Sequence, residues 1–181
     1  MFETAASQSD FPLCHPMKSD NAVFRPVHAN MRTVDVSMAH ADLDQLLNVA
    51  LEFAQKMLKD HREFYPFGSS MDLNGKITMD GATTGQERPP SQGLLDILSG
   101  SYAKRAEEGE LRATAICADV RVVPPGAAKK TDAISVGLEH ATGEAVTVYL
   151  PYQKGWFGRV RYGTLFASAR DRQFFSGPGR V

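Results

Sequence analysis

Cysteine is almost absent from this sequence: Cys14 and Cys117 are the only two among 181 residues. Two thiols make no disulfide framework, which removes the small secreted scaffolds and leaves a reducing cytoplasm as the expected compartment. Cys117 lies in an apolar run and reads as a small buried hydrophobe. Long hydrophobic runs are lacking as well. None approaches the roughly 18 residues of a spanning helix, and Met1–Asp10 is too polar for a secretory leader, so no membrane role is expected. Nor is there an excess of either charge, since twenty basic residues against twenty-one acidic ones leave a net charge of −1. With no basic block interleaved with aromatics, nucleic acid is not an expected partner.

The motifs of catalysis are missing in the same way. Gly81-Ala-Thr-Thr-Gly85 has no following Lys-Ser/Thr and no strand-to-helix context, so it is no phosphate loop. Ser69-Ser70 after Gly68 lacks the Gly-x-Ser-x-Gly of a nucleophile elbow. Cys14, His15, His28 and His40 match no zinc spacing. No cofactor and no metal is expected, and no reaction can be named.

What is present is a globular composition, 43% apolar and 23% charged, in a chain of one-domain length. Residues 1–36 mix Ser, Asp, Asn and the prolines Pro12, Pro16 and Pro26 with isolated apolars such as Phe11, Phe24 and Val27. They read as an extended or disordered arm. Residues 37–170 read as a single domain and 171–181 as a tail that frays from Ser176. The first periodic stretch is Leu43, Leu46, Leu47, Ala50, Ala54, Met57 and Leu58, one stripe of an amphipathic helix over Met38–Asp60. A second helix is expected from an N-cap at Ser91 to Glu108, with Leu94, Leu95, Leu98, Tyr102 and Ala106 inward and Gly109 as its stop. Gly100 inside it suggests a kink or a close approach.

Strands occupy the rest. Phe64–Met79 reads as strand, turn, strand, beginning after Pro66 because proline donates nothing to a ladder. Asn74-Gly75 alone suggests a two-residue hairpin loop, but alternation requires three residues, Leu73-Asn74-Gly75, to set Met71 opposite Ile77. The same parity selects Ala141-Thr142-Gly143, pairing Leu138 with Val146, Val136 with Val148 and Ile134 with Leu150, with His140 opposite Glu144. Gly75 and Gly143 then take the left-handed position. Leu111–Val123 is apolar or small on both faces at its start and fits a central strand. Val160–Ala167 reads as a last strand or edge segment.

The expected fold is therefore α+β: an antiparallel sheet of about five or six strands with both helices packed on one face. Over residues 38–153 this order of helix, hairpin, helix and meander, with its Asp72-Leu73-Asn74-Gly75 turn, resembles the profilin, roadblock and PAS group. That resemblance implies a fold and no functional residue.

The candidates for function are few. Glu139-His140 pairs a carboxylate with an imidazole, yet neighbours on a strand face opposite ways, which leaves Glu139 solvated and His140 closing a hairpin. Asp119 and Arg121 are assigned to an outer polar face with Ser135, Glu139, Thr147 and Tyr149, either a binding surface or solvated cross-strand pairs. Tyr65 is a ligand contact or an aromatic of the core. Tyr152, Trp156 and Phe157 are either an interaction patch or satellite core. The leading reading is a non-enzymatic ligand-binding or protein-interaction module, open to a protein partner or to self-association. The alternative is a small enzyme using His140, Asp119 and Arg121.

Overall fold

The structure, a computed structural model, describes residues 41–156 and 159–175. The elements are α1 (Ala41–Asp60), β1 (Phe67–Asp72), β2 (Ile77–Asp80), α2 (Ser91–Glu107), β3 (Leu111–Val122), β4 (Thr131–His140), β5 (Ala145–Lys154), β6 (Val160–Tyr162) and β7 (Phe166–Ala169). They build the α+β class expected. The sheet runs β2-β1-β3-β4-β5-β6, with β7 also on β5, and every pairing is antiparallel. The single strand expected over Val160–Ala167 is two short ones sharing the edge of β5, at Tyr152–Lys154 and Val146–Tyr149. Residues 1–36, the helical start at Met38, the aromatic Phe157 and Ser176–Val181 lie outside the described residues.

The stripe read from the sequence is the buried side of α1. Leu43, Leu46, Leu47, Ala50, Ala54 and Leu58 are buried, and Leu51 joins them. They pack on Phe67, Met71, Ala113, Ala115, Cys117, Val136, Leu138 and Val148. Asp42 and Asp44 in the first turn and Lys59 in the last oppose the partial charges of the helix ends. Just past the last turn Arg62 has φ 66°, a left-handed conformation that resists a side chain. Its guanidinium donates to the carbonyl of Gly155, 93 residues away, at 3.3 Å. The C-terminus of α1 is thereby tied to the β5–β6 turn.

Parity fixes both hairpins as expected. Met71 faces Ile77, and Leu138, Val136 and Ile134 face Val146, Val148 and Leu150. Gly75 has φ +84° and Gly143 φ +123°. The first loop closes through Asp72 N–H to the Lys76 carbonyl at 3.1 Å, the second through His140 N–H to the Glu144 carbonyl at 2.9 Å. The Asp72 carboxylate also accepts from the Asn74 and Lys76 amides, which fixes the turn from within. β1 does begin after Pro66, and β3 is central, between β1 and β4.

The two helices do not share a face. α1 covers the side of Ala115, Cys117, Val136 and Leu138. Tyr102 of α2 packs instead with Ile116, between those residues on β3, and with Leu111, Phe174 and Phe175. A methyl group at Gly68, paired with Ile116, would collide with the Tyr102 hydroxyl. Both faces of β4 are consequently buried from Ala133 to His140. One open face was expected because the alternation of β4 carries small and polar residues on that side; there Arg170 lies over Gly137 and residues 173–175 over Glu139. The N-cap of α2 is Pro90, not Ser91, and it makes no side-chain bond. Its C-terminus ends as expected: Gly109 has φ +73°, its N–H reaches the Ala106 carbonyl at 3.1 Å, and the Glu110 N–H reaches Arg105 at 3.0 Å. Gly100 has open space around it, so no close approach explains it.

Candidate functional site

Glu139 is the furthest from expectation. It is wholly buried, not solvated. Its carboxylate accepts the backbone N–H groups of Gln173 at 2.8 Å, Phe174 at 3.1 Å and Phe175 at 2.9 Å, with the Arg170 guanidinium 4.0 Å away. The domain therefore reaches at least to Phe175, since Phe174 and Phe175 are buried in it rather than part of a tail. Gly137, two residues before Glu139, leaves room for Arg170, because a side chain there would strike its guanidinium. Burial lowers the pKa of Arg170, and the Glu139 charge raises it. All these groups are used in closing the fold.

His140 points to the other face, as alternation requires. Its Nε2 is 3.4 Å from Asp42 of α1, and its Nδ1 is 2.7 Å from the Thr142 hydroxyl. Arg112 also binds Asp42, at 2.8 Å. A carboxylate, an imidazole and a hydroxyl in a row suggest a nucleophile relay. The remaining contacts oppose it. The Thr142 hydroxyl donates to Glu144, and the Thr142 backbone N–H donates to Nδ1 at 3.1 Å. Nδ1 already accepts a proton donor, so it is poorly placed to take one from the hydroxyl. The group caps the β4–β5 hairpin against the start of α1.

Asp119 and Arg121 are not on the face assigned to them. Asp119 pairs with Ile134 and Arg121 with Asp132, so both share the α1 side with Val136 and Leu138. Polarity suggested the outer side, but register decides. Asp119 accepts the phenol of Tyr152 at 2.8 Å, and Arg121 lies 3.6 Å from Asp132. Burial, then the Asp119 charge, push the Tyr152 pKa well above the usual tyrosine value. Asp119, Arg121 and Tyr152 thus meet at one end of the sheet. His140 is six residues along β4 from the Ile134 partner of Asp119, about 20 Å away at the rise of a strand.

The other candidates are scattered. Tyr149 stacks on Phe166 at 5.0 Å, on the face opposite Asp119. Tyr65 is half-buried between the buried Phe64 and Phe67. Among the described residues, no group of three His, Cys, Asp or Glu side chains is placed to hold a metal ion, and no helix is long and apolar enough to cross a membrane.

Trp156 stands apart. It is 87% exposed and borders an open cleft of about 550 Å³ with Gln153, Lys154, Gly155, Arg159 and Arg161. The turn beneath it is closed by its backbone. Gly155 N–H donates to the Arg159 carbonyl at 2.7 Å, and Arg159 N–H to the Trp156 carbonyl at 3.4 Å. Arg62 holds Gly155 from the side of α1. Lys154 also lies over the Tyr152 ring, 5.7 Å from its centre, which joins the cleft to the Asp119 cluster. Lys154, Arg159 and Arg161 escaped the reading of the sequence because this segment was weighed only for its aromatics, Tyr152, Trp156 and Phe157. The run Lys154-Gly-Trp-Phe-Gly-Arg-Val-Arg-Tyr162 does interleave three bases with aromatics, contrary to the expectation that no such block is present.

Compared with protein-family models, curated proteins and solved structures, the chain matches none. The resemblance to the profilin, roadblock and PAS group is one of element order and assigns no residue a role.

Proposed function

We propose that the chain is a non-enzymatic binding module whose ligand occupies the cleft at the β5–β6 turn. The observation that carries this reading is the exposure of Trp156, at 87%, beside Lys154, Arg159 and Arg161. Tryptophan is highly buried on average, and a large apolar ring left in water is a feature of binding surfaces. The cleft lies within the size range of small-molecule sites. The enzyme alternative is favoured only by the Asp42–His140–Thr142 row, whose protons are committed elsewhere. Self-association through the outer sheet face has little surface to use, because Ser135, Glu139 and Thr147 are buried there.

The test is mass spectrometry of whatever co-purifies with the native protein, run in parallel on a Trp156→Ala, Arg159→Glu double variant. A species present on the native protein and lost from the variant supports the reading. The same species retained on both places the ligand elsewhere.

A further inference from the structure

We infer that the Trp156 cleft takes a nucleobase joined to phosphate, presented as single-stranded nucleic acid or as a free nucleotide; this rests on the cleft being the binding site. The first argument is the distribution of charge. None of the twenty-one acidic residues falls between Ala145 and Arg170, a stretch that holds Lys154, Arg159, Arg161 and Arg170. Three of these four cations line the cleft, and no carboxylate does. A net charge of −1 spread over the molecule does not cancel such a local field, because screening confines each charge to about 10 Å at moderate salt. The polar lining therefore favours an anion, and guanidinium groups match phosphate oxygens in geometry.

The second argument is the ring. An acidic peptide would satisfy Lys154, Arg159 and Arg161 and leave the Trp156 indole in water. A base joined to phosphate uses both, one face stacking on the indole while the phosphate meets the cations. The third argument is rigidity. The Gly155–Arg159 bond, the Arg159–Trp156 bond and the Arg62 tie fix the backbone that carries the indole. A stacking platform positioned in advance loses less on binding. This inference runs against the expectation that nucleic acid is no partner, which rested on the charge balance and on finding no basic block interleaved with aromatics.

Trp156 is the only tryptophan in the chain, so its emission reports the cleft alone. The experiment titrates the full-length protein at low salt with oligo-dT, with AMP and with poly-glutamate. Saturable quenching by oligo-dT or AMP is expected. Oligo-dT affinity should fall with salt at a log–log slope of about −2, as for three phosphate contacts on a single strand. Arg161→Glu should weaken binding roughly tenfold or more, and Trp156→Ala similarly, read by anisotropy of labelled oligo-dT. Trp156→Phe should retain most of it, and unchanged melting of the three variants by circular dichroism excludes misfolding as the cause. Much tighter binding of oligo-dT than of AMP identifies a strand as the source, and similar affinities identify a free nucleotide. Poly-glutamate binding as tightly as either overturns the base-plus-phosphate inference while leaving an anion-binding cleft. No response to any of the three at millimolar concentration overturns this inference. The binding-site reading then falls only if the co-purified species is also the same on the native protein and the Trp156→Ala, Arg159→Glu variant.

Discussion

On the α1 side of the sheet, Leu46, Ala54 and Leu58 press on Ala115, Val136 and Leu138, all without accessible surface. On the opposite side a smaller apolar cluster around Tyr102 and Phe174 is joined by polar contacts. Tyr102 donates to Asp80 at 2.8 Å, Ser70 to the same carboxylate at 2.7 Å, and Arg105 to the Ser70 hydroxyl at 3.2 Å. Two strands across from Ser70, Glu139 gathers the amides of residues 173–175. The first face gains stability in proportion to area and tolerates small shifts. The second depends on a few directional bonds, each costly to leave unmade. One sheet thus carries a core that any apolar pattern of similar volume would rebuild and a second that needs particular residues.

The largest effect expected is from Glu139→Ala. It removes the acceptor of three amides and leaves Arg170, mostly buried, without its carboxylate, a loss of about 3–5 kcal/mol. Urea unfolding should show the drop in midpoint; a change below about 1 kcal/mol would mean that the polar face is held by something other than this carboxylate. Leu46→Ala, on the aliphatic face, should cost about 3 kcal/mol by the same measurement. If it costs more than Glu139→Ala, the contrast between the faces is inverted.

Register is common to both faces, so Gly75→Ala should disturb each. Alanine resists φ +84°, and its methyl group would lie 3.0 Å from the Arg112 guanidinium, a cost of about 1–2 kcal/mol. Equal stability of the variant and the native protein would refute the strain argument.

Each face also holds one phenol bonded to an aspartate, Tyr102 to Asp80 and Tyr152 to Asp119. Burial first, then the neighbouring carboxylate, push both pKa values far above 10. Above pH 10 the unfolded chain releases these protons and the folded one keeps them, so stability must fall as pH rises, by about 1.4 kcal/mol per pH unit per tyrosine. Below pH 10 their contribution is flat. Tyr102→Phe and Tyr152→Phe should each remove up to about 1.4 kcal/mol per pH unit of the alkaline slope, and should cost about 1 kcal/mol each at neutral pH. An unchanged slope in either variant would show that its phenol ionises in the folded state. The smallest effect is expected where neither face is involved: Trp156→Ala should change stability by less than about 0.5 kcal/mol. A larger loss would make the indole part of the core.

The sequence made the aliphatic face legible because apolar spacing is a local signal. The α1 stripe, both three-residue loops and the register of β4 against β5 all follow from alternation and two glycines. The polar face was hidden because its partners are remote. Glu139 looks like a solvated strand residue until residues 173–175 return to it, and nothing near position 139 announces them. Asp119 was placed by its polarity, although its parity with Ala115 and Cys117 already fixed its side. The two helices were assigned to one face for want of any cue that Gly68 makes room for Tyr102. At the cleft, the aromatics were read without the bases between them, so the run at residues 154–162 went unrecognised.

The Glu139 clasp has a consequence for how the protein is made. During synthesis a chain emerges from its N-terminus, and domains begin to fold as they appear. By the time β5 leaves the ribosome, the α1 face has all its helix and most of its strands, but Glu139 still lacks the amides of Gln173, Phe174 and Phe175. Its carboxylate cannot be enclosed until they arrive, so the second face waits for residues 173–175. A chain released before residue 173 is added has one finished core and an open seam around Glu139, where local opening exposes it to proteolysis.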